Sequence, residues 1–449
     1  MKKIITVVSI STLMLLFFAL NIKIDKKEEK EINYKSLAMT IDGEVVEDLP
    51  AEGYYYLNST CEGGNLTWDI YNRTLKLKGD GSLNYSSCKL DFESIDLKIY
   101  INGVESNTLP TTEGYSVSSN CVDATITYTY PSLSITATEN PGTCEIYFDI
   151  NLKGKILADN NEQSDAGISF GSASSQDGTN GLYYTSNTSK TENGEVVYYY
   201  RGAVTNNYLV FGGYCWRIVR TVEDGSVRLR YGGSPTQNGE TYTCPQTGTA
   251  VNIATEQKYN ASYNNKSYVN YKTSSIRTAV ENWYRDNIWK NGANTKVTNL
   301  IADTPYCNDM SEPTTSGRHV YFGAYNRLYT NPSPQYKCPS STYGYTVAKG
   351  DLTYPVALLT ADEVAYAGGV YNQTNTSYYL YTGEDYWTMS PINFDGSFAS
   401  MFYVYWGGYL GPRIVSNALA AVPAVSLKPE ATVKRGTGAY NDPYVINTD

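Results

Sequence analysis

The apolar positions of the chain change period from region to region. From Ile4 to Ile22 they run almost unbroken behind Lys2 and Lys3, the pattern of an export signal or a membrane anchor. The run ends Phe17-Phe18-Ala19-Leu20-Asn21, without a small-x-small cleavage site. An uncleaved anchor over 1–22 is therefore favoured over a signal peptide, with the lysines inside, the rest of the chain outside, and a charged spacer over 23–35.

After the spacer the period shortens to two. Leu75-Lys76-Leu77-Lys78 and Ser132-Leu133-Ser134-Ile135-Thr136-Ala137 alternate as half-buried strands do, and Asp80-Gly81 and Pro141-Gly142 follow them as turns. The region also repeats. Ile41-Asp42-Gly43 and Leu49-Pro50 recur about sixty residues later as Ile101-Asn102-Gly103 and Leu109-Pro110, and Glu52-Gly53-Tyr54 recurs as Glu113-Gly114-Tyr115. Two tandem all-β modules are expected over 36–94 and 95–155, then a polar, glycine-rich linker over 156–181. The modules read as a stalk.

The remainder, 182–449, mixes both periods. Val197–Tyr200, Tyr208–Phe211, Cys215–Thr221 and Val227–Tyr231 predict consecutive strands, with Asp224-Gly225 as a hairpin turn. Ile276, Val280, Trp283, Tyr284 and Ile288 then recur at helical spacing after Thr273-Ser274-Ser275, and Gly292 closes that helix. A second, short helix is predicted where Thr360 and Glu363 form a capping box, with Leu359 and Val364 as its staple and Gly368 as its stop. Val425-Ser426-Leu427 and Tyr444-Val445-Ile446 supply closing strands. The predicted class is an α+β domain, mostly β with two helices, behind two small all-β modules.

Composition narrows the setting. Charged residues make up only 18% of the chain while tyrosines number 44 and glycines 37, a balance that suits an extracellular β-rich protein. The net charge is −10 and no Lys/Arg run lies beyond the N-terminal segment, so the footprint for nucleic acid is missing. The eight cysteines fall into sequential pairs, Cys61/Cys88, Cys121/Cys144, Cys215/Cys244 and Cys307/Cys338, without the C-x-x-C spacing of zinc or redox sites. Local disulfides are expected, each contributing about 3–4 kcal/mol by loop closure. In a small module they offset a thin core.

Four segments occur in order in the C-terminal part: Phe211-Gly212-Gly213-Tyr214-Cys215-Trp216-Arg217-Ile218-Val219-Arg220, Tyr325-Asn326-Arg327-Leu328-Tyr329, Tyr386-Trp387-Thr388-Met389-Ser390-Pro391 and Pro423-Ala424-Val425-Ser426-Leu427. Together they resemble an uncharacterised family of exported bacterial domains with a W-[WT]-x-[RM]-S-P-like segment and a later V-R-P-x-x-x-L strand. That family is similar to C-type-lectin-like and formylglycine-generating-enzyme-like folds. The resemblance implies a lectin-like domain over 182–449 and a surface setting. Two departures stand out: W-T-M-S-P is one residue short, and the arginine before the proline is Val422.

Candidates for chemistry are few. His319 is the sole histidine and reads as a polar residue at a strand edge. Gly167-Ile168-Ser169-Phe170-Gly171 matches G-x-S-x-G but has neither a strand before it nor a helix after it. Glu384, Asp385, Asn393 and Asp395 lack a calcium-loop spacing, and nothing calls for a metal or other cofactor. A binding face is the stronger reading. In Ser400–Trp406, alternation puts Met401, Tyr403 and Tyr405 on one side and Phe402, Val404 and Trp406 on the other, with one side buried. Tyr403, Tyr405, Trp406, Tyr409, Arg413 and Asn417 are the predicted ligand contacts, since rigid aromatic rings stack on sugars and polar groups fix orientation. The expected protein is a surface adhesin or recognition protein, anchored or secreted, whose ligand is a glycan or a surface protein of a host or neighbouring cell. The alternatives are a secreted enzyme of the formylglycine-generating or hydrolase type, and a purely structural envelope protein.

Overall fold

A computed structural model describes residues 34, 37–62, 65–78, 84, 87–137, 142–174 and 181–448. The apolar segment 1–22, the spacer up to Asn33, the Asp80-Gly81 turn and Pro141 lie outside the described residues. The protein is mixed α+β, mostly β, with few helices and several sheets. The described residues divide into two compact units, one comprising those up to Glu113 with Val117–Phe148, the other Gly114–Ser116 with those from Asp149 on.

In the first unit the sequence repeat is a repeat of topology. Strands β1 (Ala38–Ile41), β2 (Glu44–Val46), β3 (Tyr55–Thr60), β4 (Asn65–Asp69), β5 (Thr74–Lys78) and β6 (Lys89–Ser94) are followed by β7 (Asp96–Ile101), β8 (Val104–Ser106), β9 (Tyr115–Ser119), β10 (Ala124–Thr129), β11 (Ser132–Ala137) and β12 (Thr143–Ile150). The sheets run β2-β1-β6-β3 and β8-β7-β12-β9, each with one parallel pair at its centre. Asp42 (φ 48°) with Gly43 and Asn102 (φ 50°) with Gly103 make the tight hairpin turns, whose left-handed backbone selects Asp/Asn-Gly. The hairpins β4-β5 and β10-β11 do not stay in separate modules. They join into one four-stranded sheet where Ser134 pairs with Asp69.

The second unit begins earlier than composition suggests. A helix at Leu152–Asp159, capped by the Asn151 side chain, buries Leu152 and Ile156 in its core. Glu162–Ser164, inside the stretch read as linker, is strand β13 and pairs with β14 (Gly181–Thr185). Polar composition hid them because β13 is exposed and the helix buries only one narrow stripe. Strands β15 (Val197–Arg201), β16 (Tyr208–Phe211), β17 (Tyr214–Thr221) and β18 (Val227–Tyr231) form where the pattern places them. They build the centre of a ten-stranded sheet in which β17 pairs with β15, β16 and β18.

The first predicted helix is regular over Ser275–Tyr284 and continues as a wider turn over Arg285–Trp289. Ile276, Val280, Trp283, Tyr284 and Ile288 are all buried, and Trp283 packs against Tyr231 at 5.1 Å. The second spans Ala361–Ala367, with the Thr360/Glu363 capping box formed and Gly368 at φ 123° ending it. A five-stranded sheet is built on Tyr386–Phe394, Ala399–Val404 and Leu410–Ile414, with His319–Tyr321 and Thr314–Ser316 at its edge. The W-T-M-S-P segment is core: Trp387 donates to the Gln257 carbonyl (2.7 Å), and the Ser390 hydroxyl accepts the Ala361 N–H (2.9 Å), which seats the short helix.

The cysteines bond as their order along the chain predicts: Cys61 with Cys88, Cys121 with Cys144, Cys215 with Cys244 and Cys307 with Cys338. Spacing treats all eight alike, as loop closures, and burial corrects that. Cys88, Cys144, Cys215 and Cys244 are buried core residues, whereas Cys61, Cys121, Cys307 and Cys338 are only half-buried. The physical reason is position on the sheet. Cys88 enters β6, and Cys144 takes an inward-facing position of β12. Cys215, on β17, packs with Cys244 against Tyr208 and Val210. These four sulfurs therefore fill apolar space as well as closing loops, and none of them is open to a ligand.

Candidate functional site

The predicted contact residues differ in burial. Tyr403 is buried (5% exposed) because Ala399–Val404 is covered on both sides, so the expected one-sided strand does not exist up to Val404. Tyr405 and Tyr409 are half-buried, and Trp406 is 57% exposed. Tyr405 lies 5.0 Å from Trp406 and 4.5 Å from Tyr409, ring to ring. Arg413 stacks on Tyr403 at 4.9 Å and pairs with Asp385 at 2.7 Å. Asn417 is exposed in the turn after Ile414, where its N–H donates to the Ile414 carbonyl.

The loop that presents Trp406 is held firmly. The Tyr405 N–H donates to the Tyr409 carbonyl (2.8 Å), that of Gly408 to Tyr405 (2.7 Å), and that of Trp406 to the Asp385 carboxylate (2.8 Å). Gly408 is at φ 80°, and a Cβ there meets the Asn375 carbonyl, so only glycine closes this turn. Asp395, one of the carboxylates without calcium-loop spacing, accepts from the Ser397 and Phe398 N–H groups and serves its own turn.

A second set of rings extends the ridge, and the sequence reading missed it. Tyr321, Tyr325 and Tyr329 recur every fourth residue and touch in series at 4.4 and 4.9 Å, and Tyr329 meets Tyr371 at 4.8 Å. Tyr371 bridges to Leu410, next to Tyr409. Burial first, then Tyr329 and Tyr409, push the Tyr371 hydroxyl above its ordinary pKa. The result is an aromatic strip from Tyr321 to Trp406, with Tyr329 (51%) and Trp406 its most exposed members. The four-residue recurrence in Tyr321–Tyr329 was visible; the junction with Tyr371 was not.

The same unit contains a cavity of about 410 Å³. Its wall includes Arg220, Arg228, Glu363, Arg327, Asp309, Asp362, Tyr336 and the Cys307–Cys338 disulfide. Arg220 Nε pairs with Glu363 at 2.9 Å, Arg228 Nε stands 3.6 Å from the same carboxylate, and Arg327 bridges Asp309 (2.6 Å) and Asp362 (3.0 Å). Burial alone raises the Glu363 pKa; Arg220 and Arg228 outweigh it and hold the carboxyl below its ordinary value. Burial keeps the Tyr336 hydroxyl protonated far above neutrality. Arg228 Nη1 and the Tyr336 hydroxyl have no hydrogen-bond partner among the described residues. These groups can hold a polar ligand.

Elsewhere, His319 is exposed on its edge strand and Ser169 is exposed after a short turn at Asp165–Gly167. With all four pairs bonded, no cysteine among the described residues is free, so a thiol nucleophile is not on offer in them. Four disulfides fit an extracellular protein. Among the described residues no helix is long and apolar enough to cross a membrane, and no cluster of three His, Cys, Asp or Glu side chains is placed to hold a metal. No family model, no curated protein and no solved structure matches the chain.

Proposed function

We propose that the chain is a cell-surface recognition protein that holds an extended glycan along the aromatic strip of a lectin-like C-terminal unit, with the disulfide-bonded β repeats as its stalk and the N-terminal segment as its anchor. The carrying observation is the strip itself: Tyr321, Tyr325, Tyr329, Tyr371, Tyr409, Tyr405 and Trp406 form a run of neighbouring rings, with Tyr329 and Trp406 the most exposed and Trp406 on a hydrogen-bonded turn. Sugar rings stack on such faces, and little conformational freedom is lost on binding because the rings are already packed. Asp385 and Arg413 at one end supply an acceptor and donors for hydroxyl groups.

The experiment is a glycan and surface-protein array probed with the full chain and with Trp406→Ala and Tyr329→Ala. Glycan binding weakened about thirtyfold by Trp406→Ala is expected if this residue is a binding hot spot. Absence of any glycan signal, or a signal in both variants equal to that of the native chain, overturns the reading and favours a structural envelope protein. A second reading places a small polar ligand in the 410 Å³ cavity, favoured by the unpartnered Arg228 and Tyr336 donors. Binding lost in Tyr336→Phe and kept in Trp406→Ala identifies it.

A further inference from the structure

Arg217 on β17 and Arg230 on β18 are directly opposed across an antiparallel pair. Both are almost wholly buried, at 3% exposed each. Two like charges facing each other across a ladder destabilise it, and burial multiplies the cost unless a counter-charge is present. Among the described residues none is supplied: neither arginine makes an ion pair there. Arg217 is satisfied by neutral groups, through Asn207 Oδ1 (2.9 Å from Nε), the Thr247 hydroxyl (3.0 Å) and the Val204 carbonyl (3.1 Å), and it lies over the Tyr208 ring at 3.7 Å. Arg230 has far less. Its Nη2 reaches the Tyr379 carbonyl only at 3.5 Å, and Nε and Nη1 have no partner among the described residues.

Both side chains line a gap whose volume, about 10 Å³, accommodates one water-sized sphere; its wall also includes Thr247, Thr249, Gly232 and Tyr381. Burial and, more weakly, the neighbouring Arg230 lower the pKa of Arg217 to about 10, and burial lowers that of Arg230, as expected for guanidiniums lacking compensation. A water molecule there would leave the two charges unneutralised. A carboxylate-bearing metabolite is too large.

We propose that this gap is a structural binding site for a single halide ion, which accepts from Arg230 Nε and Nη1 and the Thr247 hydroxyl and neutralises the facing arginines. The site is separate from the aromatic strip and independent of the glycan reading.

The test is thermal unfolding of the full chain as sodium gluconate is replaced by sodium chloride or bromide at constant ionic strength. The midpoint is expected to rise by about 2 °C for each tenfold increase in halide once the site is occupied, and Arg230→Met is expected to abolish the rise. A midpoint that does not respond to halide, or an equal rise in Arg230→Met, overturns the proposal. Crystals of the native protein grown in bromide decide the matter even where the variant does not fold. An anomalous peak in contact with Arg230 upholds the site, and a gap holding only water or nothing overturns it.

Discussion

Strands β17 and β18 carry two pairs of facing arginines, and only one pair is neutralised by the protein. Arg220 and Arg228 share the carboxylate of Glu363, with Glu223 3.4 Å from Arg220. Arg217 and Arg230, beyond the Ile218–Leu229 pair on the same ladder, have only neutral acceptors and aromatic rings around them among the described residues. Both pairs lie on one face of the sheet, since Arg228 and Arg230 are two apart and a bulge between Ile218 and Arg220 restores the alignment on β17. Backbone and chemistry are thus nearly constant, and the counter-charge is the variable. Glu363 also accepts the Thr360 N–H to close the capping box, so one side chain both starts a helix and neutralises the sheet beneath it.

The largest effect is therefore expected at Glu363. Glu363→Gln keeps the amide oxygen needed by the capping box and removes only the charge. Leaving buried Arg228 without a carboxylate and Arg220 with only Glu223 costs about 3–5 kcal/mol, read as a drop in the urea unfolding midpoint at unchanged slope. Acidification should reproduce it. The folded pKa of Glu363 lies below the ordinary 4.5, so its contribution is complete above that value and is lost as pH falls through the folded pKa. The gap between native protein and Glu363→Gln should narrow below pH 4.5. A gap constant from pH 6 to pH 3 breaks the assignment.

The two pairs should then respond to the same substitution with opposite sign. Arg228→Met removes one of two cations from Glu363 and the bond to the Pro305 carbonyl (2.9 Å), and should destabilise by about 2 kcal/mol. Arg230→Met, measured in gluconate without halide, removes an uncompensated charge and should stabilise by about 1 kcal/mol. Destabilisation by both variants in gluconate erases the contrast.

This contrast also marks how far the sequence could be read. The strands β15 to β18, the two capped helices and the disulfide pairs were legible because each is encoded by neighbours, through a period of two or 3.6, a cap, or a short loop. Which cysteines sit in the core was not, since the burial of Cys144 or Cys244 depends on what packs over it rather than on the loop it closes. The partner of Arg220 is 143 residues away, and no local pattern announces it. Strict alternation puts Arg217 and Arg220 on opposite faces, and only the bulge brings them together. The aromatic site was half legible for the same reason. Trp406 and Tyr409 stood out within one hairpin, whereas Tyr371 joins them from outside it, through a bridge to Leu410. Tyr403 misled because alternation identifies the two faces of a strand but not whether both are covered.

A third arginine site completes the series at the smallest effect. Arg413 pairs with Asp385 at 2.7 Å as Arg220 pairs with Glu363, but its side chain is 36% exposed and Asp385 18%. Water already solvates much of the charge, so the attraction is screened and the pair contributes at most about 1 kcal/mol. Arg413→Met should shift the unfolding midpoint little, and the shift should shrink further in high salt. Its consequence falls on the aromatic ridge instead. Asp385 also accepts the Trp406 N–H, and Arg413 covers Tyr403, so losing the guanidinium frees one end of the loop that presents Trp406. Glycan affinity should fall more than stability does, the reverse of Glu363→Gln, which lies in the cavity wall outside the ridge. If Arg413→Met costs as much stability as Glu363→Gln, exposure is not what separates these ion pairs, and the ordering of the three arginine sites fails.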